Sequence, residues 1–151
     1  MSMKERLRAD LTAAIKGRDE LAAATLRMVL TAVTTEEVAG STARELSDQE
    51  IVAVLTREAK KRREAAEAYV AAGREELASR ERSERGVIET YLPEQLSDAE
   101  LADLVASAIT QTGAAGPKAM GAVMKVVTPQ VAGRAEGGRV AAEVRRQLAA
   151  G

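Results

Sequence analysis

The residues best suited to bind a ligand lie near the C-terminal end of the chain. There, Arg134 and Arg139 flank Gly137 and Gly138 at the predicted start of a helix. The first N–H groups of a helix have no acceptor within the helix, so this place suits a phosphate. The alternative is that the glycines only form a turn between two helices. The candidate phosphate-binding residues are Lys118, Lys125, Arg134, Gly137, Gly138 and Arg139.

A second polar group falls on the apolar faces of two predicted helices. Arg62 lies within the apolar stripe of the third helix, and Glu81 and Glu84 lie within that of the fourth. A hairpin folded at Gly73 places Arg62 beside Glu84. We interpret these three residues as a structural ion pair that specifies the fold. Two carboxylates also suit acid–base chemistry or a metal, but no third ligand has a fitting spacing.

The basic run Arg57, Lys60 and Lys61 is another candidate RNA surface. At 100° per residue these three side chains lie opposite the apolar face of the third helix. Glu64 is spaced to pair with Lys60. We therefore interpret the run as a solvated helix face, with RNA binding as the alternative.

The residue types that are missing exclude most chemistry. The chain has 151 residues without histidine or cysteine, and no phosphate-binding glycine motif of a nucleotide-binding protein. We therefore predict no catalytic residue, no metal site and no cofactor. The formal net charge is −1, so any RNA contact depends on a local patch. No apolar run reaches the roughly 20 residues of a membrane span, which predicts a cytoplasmic protein with no membrane contact.

The elements that position these residues are predicted to be helices throughout. Ser47 with Glu50 and Ser97 with Glu100 form two capping boxes, each of which marks a helix start. Pro93 ends the fourth helix, which runs to about Leu92. We therefore predict an all-α protein with an N-terminal four-helix assembly in residues 1–93 and a three-helix tail in residues 94–151.

Two finer expectations concern individual helices. In the first helix, Leu7, Leu11 and Ile15 are spaced by four residues and are predicted to form its apolar face. The second helix is predicted to turn Leu21, Met28, Val29 and Ala32 inward. The sixth helix is predicted to begin with Pro117 in its first turn and to end near Val127.

Several motifs resemble the GatB/YqeY family in their order and spacing. They are LRMVL (26–30), REAKKRR (57–63), AAGREEL (71–77), ETYLPEQLSDAEL (89–101), MGAVMK (120–125) and GRAEG (133–137). The family occurs as free-standing YqeY proteins and at the end of the GatB subunit of tRNA-dependent amidotransferases. Glu136 departs from the family pattern, where Asp or Asn is expected. Asp and Asn reach the first amides of a helix better than Glu does.

The resemblance implies a function for the tail. In GatB, the corresponding region is associated with binding the body of tRNA while another domain performs amidation. The matching positions here are Gly121, Lys125, Gly133, Arg134 and Gly137. The favoured hypothesis is a non-catalytic accessory protein that binds tRNA or another structured RNA through this tail, beside an amidotransferase or a synthetase.

Two other hypotheses remain open at this point. The family resemblance also implies a carbon–nitrogen ligase activity with glutamine as amido donor, which would need a partner subunit. The third hypothesis is a purely structural helical interaction module. A fold resemblance does not choose among these, because function depends on sites.

We expect the purified protein alone to show neither glutaminase activity nor ATP-dependent amidation of misacylated tRNA. The physical reason is that the chain supplies no cysteine, no histidine base and no nucleotide loop. Ammonia release from glutamine measures the first activity, and amino-acid analysis of the tRNA measures the second. Ammonia release that persists through further purification would show that the isolated chain is an enzyme.

Overall fold

The computed structural model describes residues 1–150, and all regular structure in that range is helical. The seven α-helices of this range are α1 (Met3–Lys16), α2 (Glu20–Glu37), α3 (Asp48–Ala71), α4 (Glu75–Glu89), α5 (Asp98–Thr112), α6 (Met120–Val131) and α7 (Gly137–Ala150). A short 3-10 helix, Pro117–Ala119, precedes α6. The predicted all-α class is confirmed.

Three of the helices begin with a complete capping box. The Ser47 hydroxyl accepts a hydrogen bond from the Glu50 amide, and the Glu50 carboxylate accepts one from the Ser47 amide. Ser97 and Glu100 do the same at α5, as predicted. The N-terminus of α1 has a third capping box, formed by Ser2 and Glu5, that the sequence analysis did not identify. Each box satisfies amides that a helix start otherwise leaves without a partner.

The chain divides into two compact units, Met1–Leu92 and the described residues from Pro93 onward. In the first unit, α3 and α4 form the largest helix pair, and α1 and α2 pack against it. The core around this hairpin contains the fully buried Leu7, Val29, Ile51 and Ile88. Farther along the hairpin, the buried contact is made by alanines, with Ala66 and Ala78 almost inaccessible to solvent.

In the second unit, α5, α6 and α7 enclose a separate core of valines and leucines. Along α6 and α7 the buried positions recur every three or four residues, which is the helical period. They are Val123, Val127, Val131, Val140, Val144 and Leu148. Valine is a weak helix former, so tertiary burial rather than local propensity stabilises α6.

Two glycines form turns that other residues would strain. Gly73, between α3 and α4, has φ of 73°, and Gly133, between α6 and α7, has φ of 74°. The left-handed conformation is accessible to glycine without a steric cost. These turns reverse the chain within the hairpin and at the start of the segment that leads to α7.

Several predicted helix details are wrong. Helix α4 ends at Glu89 rather than near Leu92, and Pro117 opens the 3-10 helix rather than α6. The α6 helix continues past Val127 to Val131, with Pro129 inside its last turn. Proline there removes one backbone donor, the N–H that would bond to the carbonyl four residues earlier, and the helix ends two residues later.

Two predicted inward residues are also exposed. Ile15 and Met28 have relative exposures of 49% and 40%, so the apolar faces of α1 and α2 are narrower than predicted. None of the helices within residues 1–150 combines the length and the apolar character that would let it cross a membrane.

Candidate functional site

The loop before α7 is bound to the segment that leads into α5. The Leu96 amide donates to the Arg134 carbonyl at 2.8 Å. The Gln95 side-chain amide donates to the Gly133 carbonyl at 2.8 Å and to the Pro93 carbonyl at 2.9 Å. We call residues 93–98 together with residues 133–139 the clasp. The clasp joins two motifs, PEQLSD and GRAEGGR, that are about 40 positions apart in the sequence.

The two clasp arginines both bind the α5 side of the clasp. The Arg134 Nε donates to the Glu94 carbonyl at 3.2 Å. The Arg139 Nη2 donates to the Asp98 carboxylate at 2.8 Å, and the Asp98 side chain is otherwise 99% exposed. Exposed ion pairs of this kind contribute about 0.2–1 kcal/mol. Both guanidinium groups therefore have partners, and the ion pair between Arg139 and Asp98 is weak.

Gly137 and Gly138 are the first two residues of α7, and both are exposed. The Glu136 carbonyl accepts from the Val140 amide, so Glu136 takes the position before the helix. No atom lies within 4 Å of where a Cβ would stand on either glycine. A ligand can therefore approach the helix start, where amides and the helix dipole favour negative charge.

The two lysines of the predicted site lie on neighbouring elements. Lys118 is in the 3-10 helix, which packs against α6 and α7, and Lys125 is on α6. Both are exposed, and within residues 1–150 neither forms an ion pair or hydrogen bond. Arg134, Gly137, Gly138 and Arg139 thus lie together, and within residues 1–150 no hydrogen bond or ion pair joins Lys118 or Lys125 to them.

The sequence analysis did not identify the clasp partners Glu94, Gln95 and Asp98. It also did not identify the carboxylate of Glu143 on α7. Glu143 binds Arg146, with Nε 2.9 Å from Oε2, and this arginine lowers the pKa of Glu143 to about 2. The side chain of Gln147 donates both to Glu143 and to the Ala102 carbonyl, which links α7 to α5. The i, i+3 spacing of Glu143 and Arg146 was the available signal for the first contact. The sequence carries no signal for the long-range partners Glu94, Gln95 and Asp98.

The second unit is electrically balanced. From Pro93 onward the sequence has six basic residues and six acidic ones, and all six basic residues come from Lys118 onward. Four of the acidic residues fall in residues 94–103, at and before the start of α5. The positive tail is therefore compensated within its own unit. Ligand binding would depend on the local arrangement of the clasp arginines rather than on a broad field.

In the first unit, Arg62 is buried at the centre of a charged cluster. Its Nη1 donates to the Glu58 carboxylate at 3.1 Å, and its Nη2 contacts the Met28 sulfur at 3.5 Å. The Nε lies 3.4 Å from the Glu84 carboxylate but has no hydrogen-bond partner. The structure therefore places Arg62 beside Glu84, with an ionic contact that lacks hydrogen-bond alignment. Glu58 was not part of the predicted pair.

Glu81, the third member of the predicted pair, has no ion pair at salt-bridge distance within residues 1–150. Burial raises the pKa of Glu81, and the negative charge of Glu84 raises it further. Arg62 and Arg80 lower that pKa, but by less. The charges around Arg62 therefore shift the pKa of Glu81, although Glu81 forms no ion pair with them.

The basic run on α3 is exposed and paired within the unit. Arg57 lies 3.5 Å from Glu36, Lys60 lies 3.8 Å from Glu64, and Lys61 lies 3.0 Å from Glu58.

The described residues contain no group of three or more acidic side chains arranged to hold a metal ion.

The fold and the clasp show the class of protein. It is all-helical, and in its second unit a PEQLSD segment is bound to a glycine–arginine loop. The family model for Yqey-like proteins matches residues 4–148, so the chain belongs to the Yqey-like protein family. A comparison with curated proteins found no match. The family match includes both units and the whole clasp.

Replacing Arg62 with alanine should lower the free energy of unfolding by about 3 kcal/mol, since it leaves Glu58 and Glu84 buried without their shared cation. We expect the low end of the range for buried pairs because Lys61 and Arg80 remain. Lys61→Ala is the control, with a side chain 71% exposed and an expected change below about 0.5 kcal/mol. Urea unfolding followed by circular dichroism measures both. Equal, small losses would contradict a structural role for Arg62.

Replacing Glu81 with glutamine should stabilise the protein near neutral pH. A carboxyl whose pKa is raised in the folded state destabilises the fold when ionised, and this effect disappears as pH falls through that pKa. The difference between variant and parent should therefore vanish below the ordinary carboxyl pKa of 4.5. Urea unfolding at neutral and acidic pH measures this difference in the free energy of unfolding.

Glu76→Gln is the matched control on the same helix. The Arg74 side chain lowers the pKa of Glu76. Removing the Glu76 carboxylate should therefore destabilise the protein at neutral pH, in contrast to Glu81→Gln. A loss of stability in both variants at neutral pH would show that Glu81 is stabilised, not strained, in its ionised form.

Proposed function

We propose that this protein is a non-catalytic accessory protein that binds tRNA or another structured RNA through the clasp. The observation that supports this is the geometry of the clasp arginines. Arg134, Arg139 and the glycine start of α7 come from one seven-residue stretch, and Arg139 is held only by an exposed carboxylate. A phosphate at this place would gain guanidinium contacts and helix amides together.

The exchange of partners has a low energetic cost for a phosphate. Breaking the Arg139–Asp98 contact costs about 0.2–1 kcal/mol, because both groups return to water. A guanidinium–phosphate contact is charge-assisted and bidentate, which is stronger than a neutral hydrogen bond. Asp98 therefore acts as an internal competitor for Arg139, and its charge opposes an approaching anion.

The contact would involve phosphates and shape rather than bases. The chain has no phenylalanine or tryptophan, and its two tyrosines, Tyr69 and Tyr91, belong to the first unit. Binding of single-stranded bases on aromatic side chains therefore has no platform in the second unit. An affinity that comes from phosphates falls steeply with salt, since binding releases counterions.

Lys118 and Lys125 would extend the same surface. Both are exposed and have no ion-pair partner within the described residues, so neither must give up a contact to meet a phosphate. An amidotransferase or a synthetase is the partner that this role would serve, because both classes of enzyme act on tRNA.

The test compares tRNA binding by the parent protein and by a Lys125→Ala, Arg134→Ala, Arg139→Ala triple variant. Three phosphate contacts predict a slope of log affinity against log salt of about −2 to −3 between about 50 and 200 mM salt. The triple variant should bind more weakly and with a flatter slope, while its helix content stays unchanged. Fluorescence anisotropy with labelled tRNA measures the slope, and circular dichroism measures the helix content.

The control is a triple alanine variant of Arg57, Lys60 and Lys61, which removes the same charge from the first unit. Loss of binding in this control, with binding kept in the clasp variant, would assign RNA binding to α3 instead. Asp98→Asn should raise the affinity, because it frees Arg139 and removes a negative charge. Absence of binding by the parent protein at low salt would leave the structural-module hypothesis.

A further inference from the structure

The α3–α4 hairpin has an open groove along one side. The groove has a volume of about 430 Å³. Its walls consist of Arg63, Glu67 and Val70 on α3 with Arg82 and Arg85 on α4, and Ala66 forms its floor. Three guanidinium groups and one carboxylate therefore line it, so the side chains that line the groove carry a net positive charge.

Each groove arginine is held by a carboxylate of its own helix. Arg63 lies 3.4 Å from Glu67, Arg82 lies 2.6 Å from Glu75, and Arg85 lies 2.6 Å from Glu89. All these carboxylates are exposed, with between 38% and 69% of each side chain accessible. Such exposed pairs contribute little to stability, so a partner's carboxylates can replace them at low cost.

The groove also has an apolar centre. Val70 is 46% exposed, one of the few large apolar side chains with that exposure. It lies next to the buried Ala66, so the arginines form a basic rim around aliphatic surface. A basic rim with an apolar centre is complementary to a helix that has acidic residues beside an apolar stripe.

We propose that this groove binds an acidic amphipathic helix of a partner protein. An apolar side chain of that helix packs on Val70 and Ala66, and its carboxylates bind Arg63, Arg82 and Arg85. The stretch from residue 63 to residue 70 is about 10 Å long, which matches two turns of a bound helix.

A helical segment fits the groove better than a nucleic acid does. Glu67 lines the groove between the α3 arginine and Val70, and it would repel a continuous row of phosphates. A peptide can place a neutral or basic residue opposite Glu67. The exposed Val70 would face a polar sugar–phosphate strand, whereas it gains apolar contact with a peptide side chain.

The test is a titration of the isotope-labelled full chain with a synthetic three-turn helical peptide. The peptide carries leucine at every third or fourth position, glutamine at one position to face Glu67, and glutamate elsewhere, and a scrambled peptide of the same composition is the comparison. Amide chemical shifts should change along residues 63–70 and 82–85, and the scrambled peptide should bind more weakly. An Arg82→Glu, Arg85→Glu double variant should lose at least about tenfold in affinity.

The matched control is Arg57→Glu, Lys60→Glu, which reverses two exposed charges on α3 outside the groove and should keep the affinity. Absence of shift changes at about 1 mM peptide would overturn the proposal. Equal binding of the scrambled peptide would overturn it as well, since charge alone would then explain the contact. Shift changes in the groove with tRNA but not with the peptide would assign the groove to nucleic acid.

Discussion

The hydrogen bond from the Leu96 amide to the Arg134 carbonyl is the constraint on which the second unit depends. It fixes the entry to α5 against the loop that starts α7, although the two segments are far apart in sequence. Backbone groups near a core must find partners, and this contact supplies one for each segment. The Gly133 turn makes the contact available, because its left-handed backbone returns the chain toward Gln95.

Arginine serves two different purposes in the two units. Arg62 is 7% exposed and lies between two nearly buried carboxylates, so its removal leaves them with only their more exposed partners, Lys61 and Arg80. Arg139 is paired with a carboxylate that water surrounds, so its partner is exchangeable. Burial therefore decides which arginine supports the fold and which is available to a ligand, although both have a carboxylate within hydrogen-bond distance.

Local signals in the sequence predicted a large part of the fold. The boxes at Ser47 and Ser97 involve only four residues each, so the sequence contains all of their chemistry, and both are confirmed. The all-α class was likewise predicted from the helix starts and the helical spacing of apolar residues, and it is confirmed. The errors at Ile15, Met28 and the end of α6 arose where tertiary packing, not periodicity, sets the result.

The same local signals do not predict contacts between residues that are far apart in the sequence. The arginine candidates of the tail were identifiable by type, but Asp98 and Glu94 as their partners were not. A spacing argument works within one helix or across one tight hairpin, as it did for Arg62 and Glu84. It does not work across the 41 positions from Asp98 to Arg139.

The alanine contact between α3 and α4 has a consequence for motion. Alanine buries little apolar area and loses no rotamer entropy, so Ala66 and Ala78 hold the outer part of the hairpin close but only weakly. Local opening has its lowest free energy where buried apolar contacts are fewest. The outer hairpin should therefore exchange its amide hydrogens faster than the base around Ile51 and Ile88. The open groove at Val70 lies in this outer part of the hairpin.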